Sequence, residues 1–287
     1  MRNYVLYNPK AGHGDYSEKL SKLKSYLAGD VVELDVTKLD NSDELFASAL
    51  ADDKIIISGG DGTINKFVNT VDVEKISCDI LYFASGSGND FLHDLGAQID
   101  GAPIKVNEYL VNLPTVEVKG KSYRFVNGVG YGIDGYCCEE GDKIKEKSTK
   151  PVNYTAIAIK GLLFCFKPRV ATVTVDGKKY TYKKVWIAPT MNGRFYGGGM
   201  MPTPDQNRLD NDEQSLMVFH GTSKLKTLMI FPSLFKGEHV KHTKAIAIHK
   251  GKEITVEFNR PTPLQIDGET ILDVTEYTVR SKAMAKV

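Results

Sequence analysis

No stretch of this 287-residue chain is apolar for long enough to span a bilayer. The most apolar runs, residues 154–166 and 228–235, fall short of the roughly 18 residues a crossing needs, and Lys160 interrupts the first. No leader is expected either. Met1 runs almost at once into a strand-like NYVLYN, with no basic start and no small-residue cleavage site, so the chain is expected in the cytoplasm, at most peripheral to a membrane. Neither sign of charge is in excess: 37 Lys and Arg meet 36 Asp and Glu. Nucleic acid is therefore not an expected partner, because its phosphate backbone wants a strongly basic face. Cysteine is scarce. Cys78, Cys137, Cys138 and Cys165 lack metal-ligand spacing and are too sparse for a disulfide scaffold, so they are expected to be reduced thiols with packing roles. What is left is an ordinary globular composition, 41% hydrophobic and 25% charged. Its length suits two domains of roughly 100–200 residues, and nothing in it fixes an oligomeric state.

The first hundred residues alternate β-rich runs with amphipathic ones: NYVLYN, YSEKLSKLKSYL, DVVELDV, SDELFASALA, KIIIS, TINKFVNTV and DILYFA. This alternation predicts βαβ units and a parallel sheet with helices on both faces. Tyr16, Leu20, Leu23 and Leu27 recur at three- and four-residue intervals, on one helical face. Near Pro114 the pattern changes to alternating segments such as TVEVKG, ATVTVDG, YTYKKVWIA and ITVEF, separated by Gly, Asp and Pro turns, which predicts antiparallel strands. One helix, roughly residues 153–166, interrupts them. The expected division is an α/β domain over 1–115 and a β-rich domain over 116–274, with the tail 275–287 free to join either.

Residues 55–63, IIISGGDGT, form a buried-looking strand that enters a glycine-rich turn before a helix-compatible stretch. Ligands bind at the carboxyl ends of strands in open α/β sheets, and the amides at a helix N-terminus attract anions, so a phosphate is the natural guest. Gly59, Gly60 and Gly62 permit positive φ and close backbone approach, and Thr63 is placed to cap the helix or to meet a phosphate oxygen. Asp61 is the odd member, since a carboxylate beside phosphates calls for an intervening cation or proton. A plain Gly-Asp turn with Thr63 as a structural cap is the alternative. NPKAG after the first strand and GSGNDF after a later one repeat the arrangement. Neither matches the GxxxxGK[ST] or GxGxxG phosphate motifs.

Taken in order, NPKAGHG (8–14), GGDGTIN (59–65), GSGNDF (86–91), NGVGYGIDG (127–135), NGRFYGGGM (192–200) and QIDGE (265–269) resemble the diacylglycerol kinase catalytic-domain family, which includes bacterial lipid kinases and the sphingosine and ceramide kinases. The resemblance implies a Rossmann-like parallel-sheet nucleotide domain and an antiparallel β-sandwich lipid domain. It further implies transfer of the ATP γ-phosphoryl, with Mg²⁺, to a lipid hydroxyl in a cleft between them, the lipid being met at a membrane surface. Carried over by position, Asn8, Pro9, Lys10, Ala11, Gly12, Thr37, Gly59, Gly60, Asp61, Gly62, Thr63, Ile64, Asn65 and Ser87 contact ATP, with Asn89 and Asp90 beside them. Glu269 becomes the proton acceptor, Asp134 neighbours the acceptor hydroxyl, and Asp61 and Asp90 join a network around metal and phosphates. From the residues alone, IDGE also reads as a hairpin turn.

Departures from the family pattern are Lys66 where Glu is usual, Thr70 where Gly is usual, and the lengthened loop LDNDEQSL. In that loop Asp210, Asp212 and Glu213 replace the family's structural Mg²⁺ loop, and three carboxylates in four residues suit a hard cation or a solvated acidic turn. Lys143, Lys145, Lys147, Lys150, Lys160, Lys167 and Arg169 are placed either on anionic headgroups or in a solvated loop. MIFPSLF (229–235) reads as core, with the lining of an acyl-chain pocket as the alternative. His239 and His242 lack a third ligand. The competing functions are phosphorylation of a soluble dinucleotide, as NAD kinases with their GGDG segment perform it, and non-catalytic binding.

Overall fold

In the computed structural model, residues 1–9, 16–39, 46, 49–86, 88–99, 101–148, 152–209, 212–282 and 284 are described. The chain divides into two compact units, Met1–Leu113 and Pro114–Val287.

The first unit holds a five-stranded sheet ordered β2 (Asp30–Asp35), β1 (Arg2–Tyr7), β3 (Lys54–Gly59), β4 (Asp79–Ala84) and β5 (Ile104–Lys105). The first four are mutually parallel, as the βαβ pattern predicts. The two-residue β5 departs from that expectation by running antiparallel on the edge, and the short α4 (Asn107–Leu110) follows it. Apolar side chains cover both faces. Val5, Ile56 and Phe83 pack with Leu20 and Leu23 of α1 (Tyr16–Lys24), and Leu27 joins them. Tyr4 leads the opposite face, edge-on to Phe46, which in turn meets Phe67 of α2 (Asp61–Thr70). Each such fully buried side chain contributes about 1.5–3 kcal/mol.

The second unit is antiparallel throughout. Its sheet runs β13 (Ile246–Gly251), β12 (Gln214–Phe219), β11 (Thr190–Met191), β8 (Gly128–Tyr131), β14 (Glu253–Ile266), β15 (Glu269–Arg280), β6 (Thr115–Val118) and β7 (Lys121–Arg124). It branches at the long β14, which pairs with β9 (Arg169–Val175) over its first half and with β8 at its end; β10 (Lys178–Val185) extends β9. Residues 275–280 therefore belong to this sheet. Three hairpins turn on residue pairs with positive φ at both positions, Lys119-Gly120, Asp176-Gly177 and Asp267-Gly268, the geometry that matches strand twist. Tyr131 stacks on Phe258 at 3.9 Å and stands edge-on to Tyr277 at the centre of the core.

The expected helix over 153–166 is present as α6 (Tyr154–Lys160), capped by Asn153 accepting from Ala156 N, and it continues through a π turn over Gly161–Cys165. A helix that the pattern did not predict, α5 (Ile133–Lys147), follows β8. It corrects the loop reading of the lysine cluster: Lys143 pairs with Glu139 and Glu140, and Lys145 with Asp142. MIFPSLF is only partly core, since Ile230 and Leu234 are buried while Met229 and Phe235 are exposed. Cys165 is exposed, so its packing role does not hold.

Two stability outcomes are expected. The Tyr277 hydroxyl bonds Ala188 O and Thr190 Oγ1 inside the core. Tyr277→Phe leaves both buried groups short of a partner and should cost about 1–3 kcal/mol in denaturant unfolding. Burial also lowers the pKa of His220, His239 and His249. The unfolded chain then binds protons that the folded chain refuses, so unfolding midpoints should fall as pH drops below about 6.5 and level off above it.

Candidate functional site

All four parallel strands end at one sheet edge, where Tyr7 lies level with Asp35 and with Ser58, and Gly59 with Ala84. β1 is followed in sequence by its neighbour on one side and then by β3 on the other, so the loops after β1 and β3 flank the point where the winding reverses, the usual ligand crevice of such sheets. Asn8 is half-buried and Pro9 exposed at the end of β1, whereas Lys10, Ala11 and Gly12 lie outside the described residues. Thr37 closes a short turn after β2 in which its N and Oγ1 both donate to Asp35 Oδ1; these bonds hold the Asp35 carboxyl below its usual range.

The loops after β3 and β4 meet backbone to backbone. A Cβ on Gly86 would stand 2.5 Å from Gly60 N, and one on Gly60 would stand 2.7 Å from Gly88 O. Asp61 N donates to Gly88 O, and Ser85 N to Gly59 O. Asp61 completes the join: its Oδ2 accepts from Asp90 N at 2.8 Å and its Oδ1 from Phe91 N at 3.2 Å, capping α3 (Asp90–Asp94). Asn89 Nδ2 bonds Gly86 O, and the Tyr82 hydroxyl donates to Gly59 O. Burial, reinforced by the Asp61 charge, pushes the Tyr82 phenol well up.

Two expectations change on this geometry. Gly59, Gly60 and Gly62 do not have positive φ; the first two are needed for close approach. Thr63 does not cap α2, whose N-cap is Gly60; its side chain fills the space over Gly59. The Asp61 carboxylate accepts from two backbone amides. Gly62, by contrast, is exposed and would carry a Cβ into open space. Ile64 and Asn65 are buried, and Lys66 is exposed on α2. Ser87 lies outside the described residues.

In the second unit three motifs converge. The first residues of β8 are held by Asp267, whose carboxylate accepts from Val126 N at 2.6 Å, Asn127 N at 2.8 Å and Gly128 N at 3.0 Å. Asn192 and Arg208 reach the same stretch, Asn192 Nδ2 donating to Val126 O and Arg208 Nη2 to Asn127 Oδ1. Asp134, buried in the first turn of α5, accepts from Gln265 Nε2 at 2.8 Å. The other end of Gln265 accepts from Gly268 N at 2.6 Å, so one amide ties Asp134 to the hairpin turn. Gly130 has no room for a Cβ because Asp134 Oδ2 lies against it, and Gly135 none because of Pro263 O. The Tyr196 hydroxyl is buried with no hydrogen-bond partner among the described residues; burial first, and then the Asp134 charge, raises its pKa. Glu269, the first residue of β15, is exposed, and its carboxylate makes no hydrogen bond or ion pair among the described residues.

Residues 2–118 match the diacylglycerol kinase catalytic domain, and residues 127–284 match the YegS C-terminal NAD kinase beta sandwich-like domain. The chain belongs to the family that joins these two domains, a diacylglycerol kinase catalytic domain and a YegS C-terminal domain. Among its relatives are "Putative lipid kinase YtlR" of Bacillus subtilis, 24% identical over 97% of this chain and 96% of that protein, and a diacylglycerol kinase of Mycobacterium tuberculosis, 24% identical over 88% and 84%. A crystal structure of a diacylglycerol kinase from Bacillus anthracis covers 98% of this chain and 94% of its own at a TM-score of 0.61 and 20% identity, which shows a shared fold.

Within this kinase the family's motifs fall into two constellations, the glycine loops of the first unit and the Asp134–Gln265–Asp267–Glu269 group of the second. Among the described residues no three His, Cys, Asp or Glu side chains cluster to hold a metal. Asp212 is exposed and Glu213 half-buried, while Asp210 lies outside the described residues. Sequence reasoning missed the roles of Gln265, Asp267, Asn192 and Arg208. The first three sit inside quoted motifs, which was a usable signal; Arg208 stands alone in an irregular loop and offered none.

The glycine geometry makes a paired prediction. Gly86→Ala drives a methyl into the Gly60 backbone and should destabilise the first unit measurably in thermal unfolding. Gly62→Ala should be neutral or should stabilise by up to about 1 kcal/mol, because alanine suits a helix better.

Proposed function

We propose that this kinase transfers the γ-phosphoryl group of ATP to a hydroxyl of a diacylglycerol-like lipid, with Glu269 as the acceptor of the hydroxyl proton. The observation that carries the reading is the contrast among the motif acids. Asp61 and Asp267 accept backbone amides and Asp134 accepts an amide side chain, whereas Glu269 is exposed and unpaired on a hairpin that Asp267 and Gln265 hold rigid. A lipid hydroxyl is a weak nucleophile near neutral pH, and a positioned carboxylate that removes its proton typically contributes about 10²- to 10⁴-fold.

The glycine loops suit the phosphates of ATP. The N-terminus of α2 carries partial positive charge, and the open space above Gly62 lets a phosphate oxygen approach the backbone. Asn8, Pro9, Thr37, Thr63, Asn65, Asn89 and Asp90 lie on the same loops or in the elements that follow them, and are assigned to nucleotide binding. No metal-holding cluster is found at Asp212 and Glu213 among the described residues, and Asp210 lies outside them. Asp134 and the Tyr196 hydroxyl are assigned to orienting the lipid hydroxyl. The names of the relatives favour diacylglycerol as the acceptor.

Incubation with labelled ATP, Mg²⁺ and diacylglycerol in mixed micelles should place label in an organic-soluble product. Glu269→Gln should lower turnover by about 10²- to 10⁴-fold with an unchanged melting temperature, since the carboxylate holds nothing in place. Near-normal turnover would remove Glu269 from its role. Gly62→Ala should weaken ATP binding while folding normally.

A further inference from the structure

Residues 152–175 and 221–237 contain no Asp or Glu, in a chain whose charges otherwise nearly balance. Their cations are Lys160, Lys167, Arg169, Lys224, Lys226 and Lys236. Both segments belong to one layer of the second unit. Ala158, Leu162 and Phe166 of α6 and its π turn pack with Trp186, Ile230 and Leu234, which includes the end of α7 (Lys224–Ile230) and the 3₁₀ turn beyond it. Lys224 Nζ donates to Leu163 O at 2.7 Å and ties the start of α7 to the π turn.

The outer side of this layer is apolar. Phe164 is 76% exposed, Leu225 71% and Met229 75%, with Ile159 and Leu163 partly exposed beside them. Leu225 and Met229 are one turn apart on α7, away from buried Thr227 and Ile230. Single apolar side chains in water are common, but neighbouring elements that together present several mark an interaction surface. Unlike Lys143 and Lys145 of α5, Lys160, Lys167, Lys224, Lys226 and Lys236 make no ion pairs among the described residues. A second copy of the chain would set these unneutralised cations against their own like, at a cost, whereas an anionic surface would satisfy them.

We propose that this lysine-ringed apolar tip docks on an anionic lipid bilayer, with Phe164, Leu225 and Met229 entering the headgroup–acyl boundary and the lysines facing the headgroups. Its purpose rests on the lipid-kinase reading above; the contact itself follows from this face alone.

The test uses the full chain and no ATP. Trp186 is the only tryptophan and is buried, so Phe164→Trp adds a surface reporter of comparable apolar character. With vesicles of phosphatidylcholine mixed with phosphatidylglycerol, its emission should shift to the blue and be quenched by brominated acyl chains; pure phosphatidylcholine should give little of either, and added salt should reverse the effect. Leu225→Asp and Met229→Asp should each weaken co-sedimentation with the mixed vesicles by about tenfold or more, and Lys224→Gln with Lys226→Gln by about fivefold per lysine. Phosphoryl transfer to a short-chain, monodisperse lipid should be unchanged in all of them. Unaltered co-sedimentation of the aspartate variants, an unshifted tryptophan, or self-association that Leu225→Asp abolishes would overturn the proposal. Vesicle binding by a chain that phosphorylates no lipid would leave this surface standing and defeat the functional reading instead.

Discussion

Two stretches of main chain touch at Gly60 and Gly86 with no space for a side chain between them, and the first unit's candidate site depends on that contact. It brings the loops after β3 and β4 close enough for Asp61 N to reach Gly88 O and for the Asp61 carboxylate to cap α3. Two separate strand ends become one rigid surface. A methyl group on either glycine would part them by more than the hydrogen bonds tolerate, so the requirement for glycine here concerns proximity and not backbone conformation.

The second unit solves the same problem with the same chemistry. A carboxylate, Asp267, gathers three consecutive amides at the start of β8, and glycines at 130 and 135 let α5 lie against the sheet with Asp134 beneath β8. Gln265 then links Asp134 to the turn that presents Glu269. Backbone amides aimed at one acidic side chain form strong, charge-assisted bonds with little freedom, which suits side chains whose task is to fix others within fractions of an ångström.

Much of this was legible in the sequence. Ile55, Ile56 and Ile57 read as a strand buried on both faces, the Gly-rich segments marked the strand ends, and Lys-Gly and Asp-Gly pairs marked the hairpins. The helix α5 was not legible. Gly135 and Gly141 each cost about 1 kcal/mol in a helix, so the local signal favours a loop. They are tolerated because one packs under Pro263 O and the other under the ring of Tyr154, contacts made by residues distant in sequence. The bonds of Asp61 were hidden for a similar reason: the amides it accepts belong to residues about thirty positions on.

Acids within one set of motifs can therefore be sorted by what already occupies their lone pairs. A carboxylate that accepts two or three backbone amides is held by charge-assisted bonds and serves as a fixed anchor. One that accepts nothing is open to a ligand. Asp61 and Asp267 meet the first description and Glu269 the second. Asp134 lies between, held by the same glutamine that steadies the Glu269 turn. In the proposed reaction the anchors serve the base: Asp267 and Gln265 tie down the turn beneath Glu269, so an unpaired carboxylate there can still be aimed.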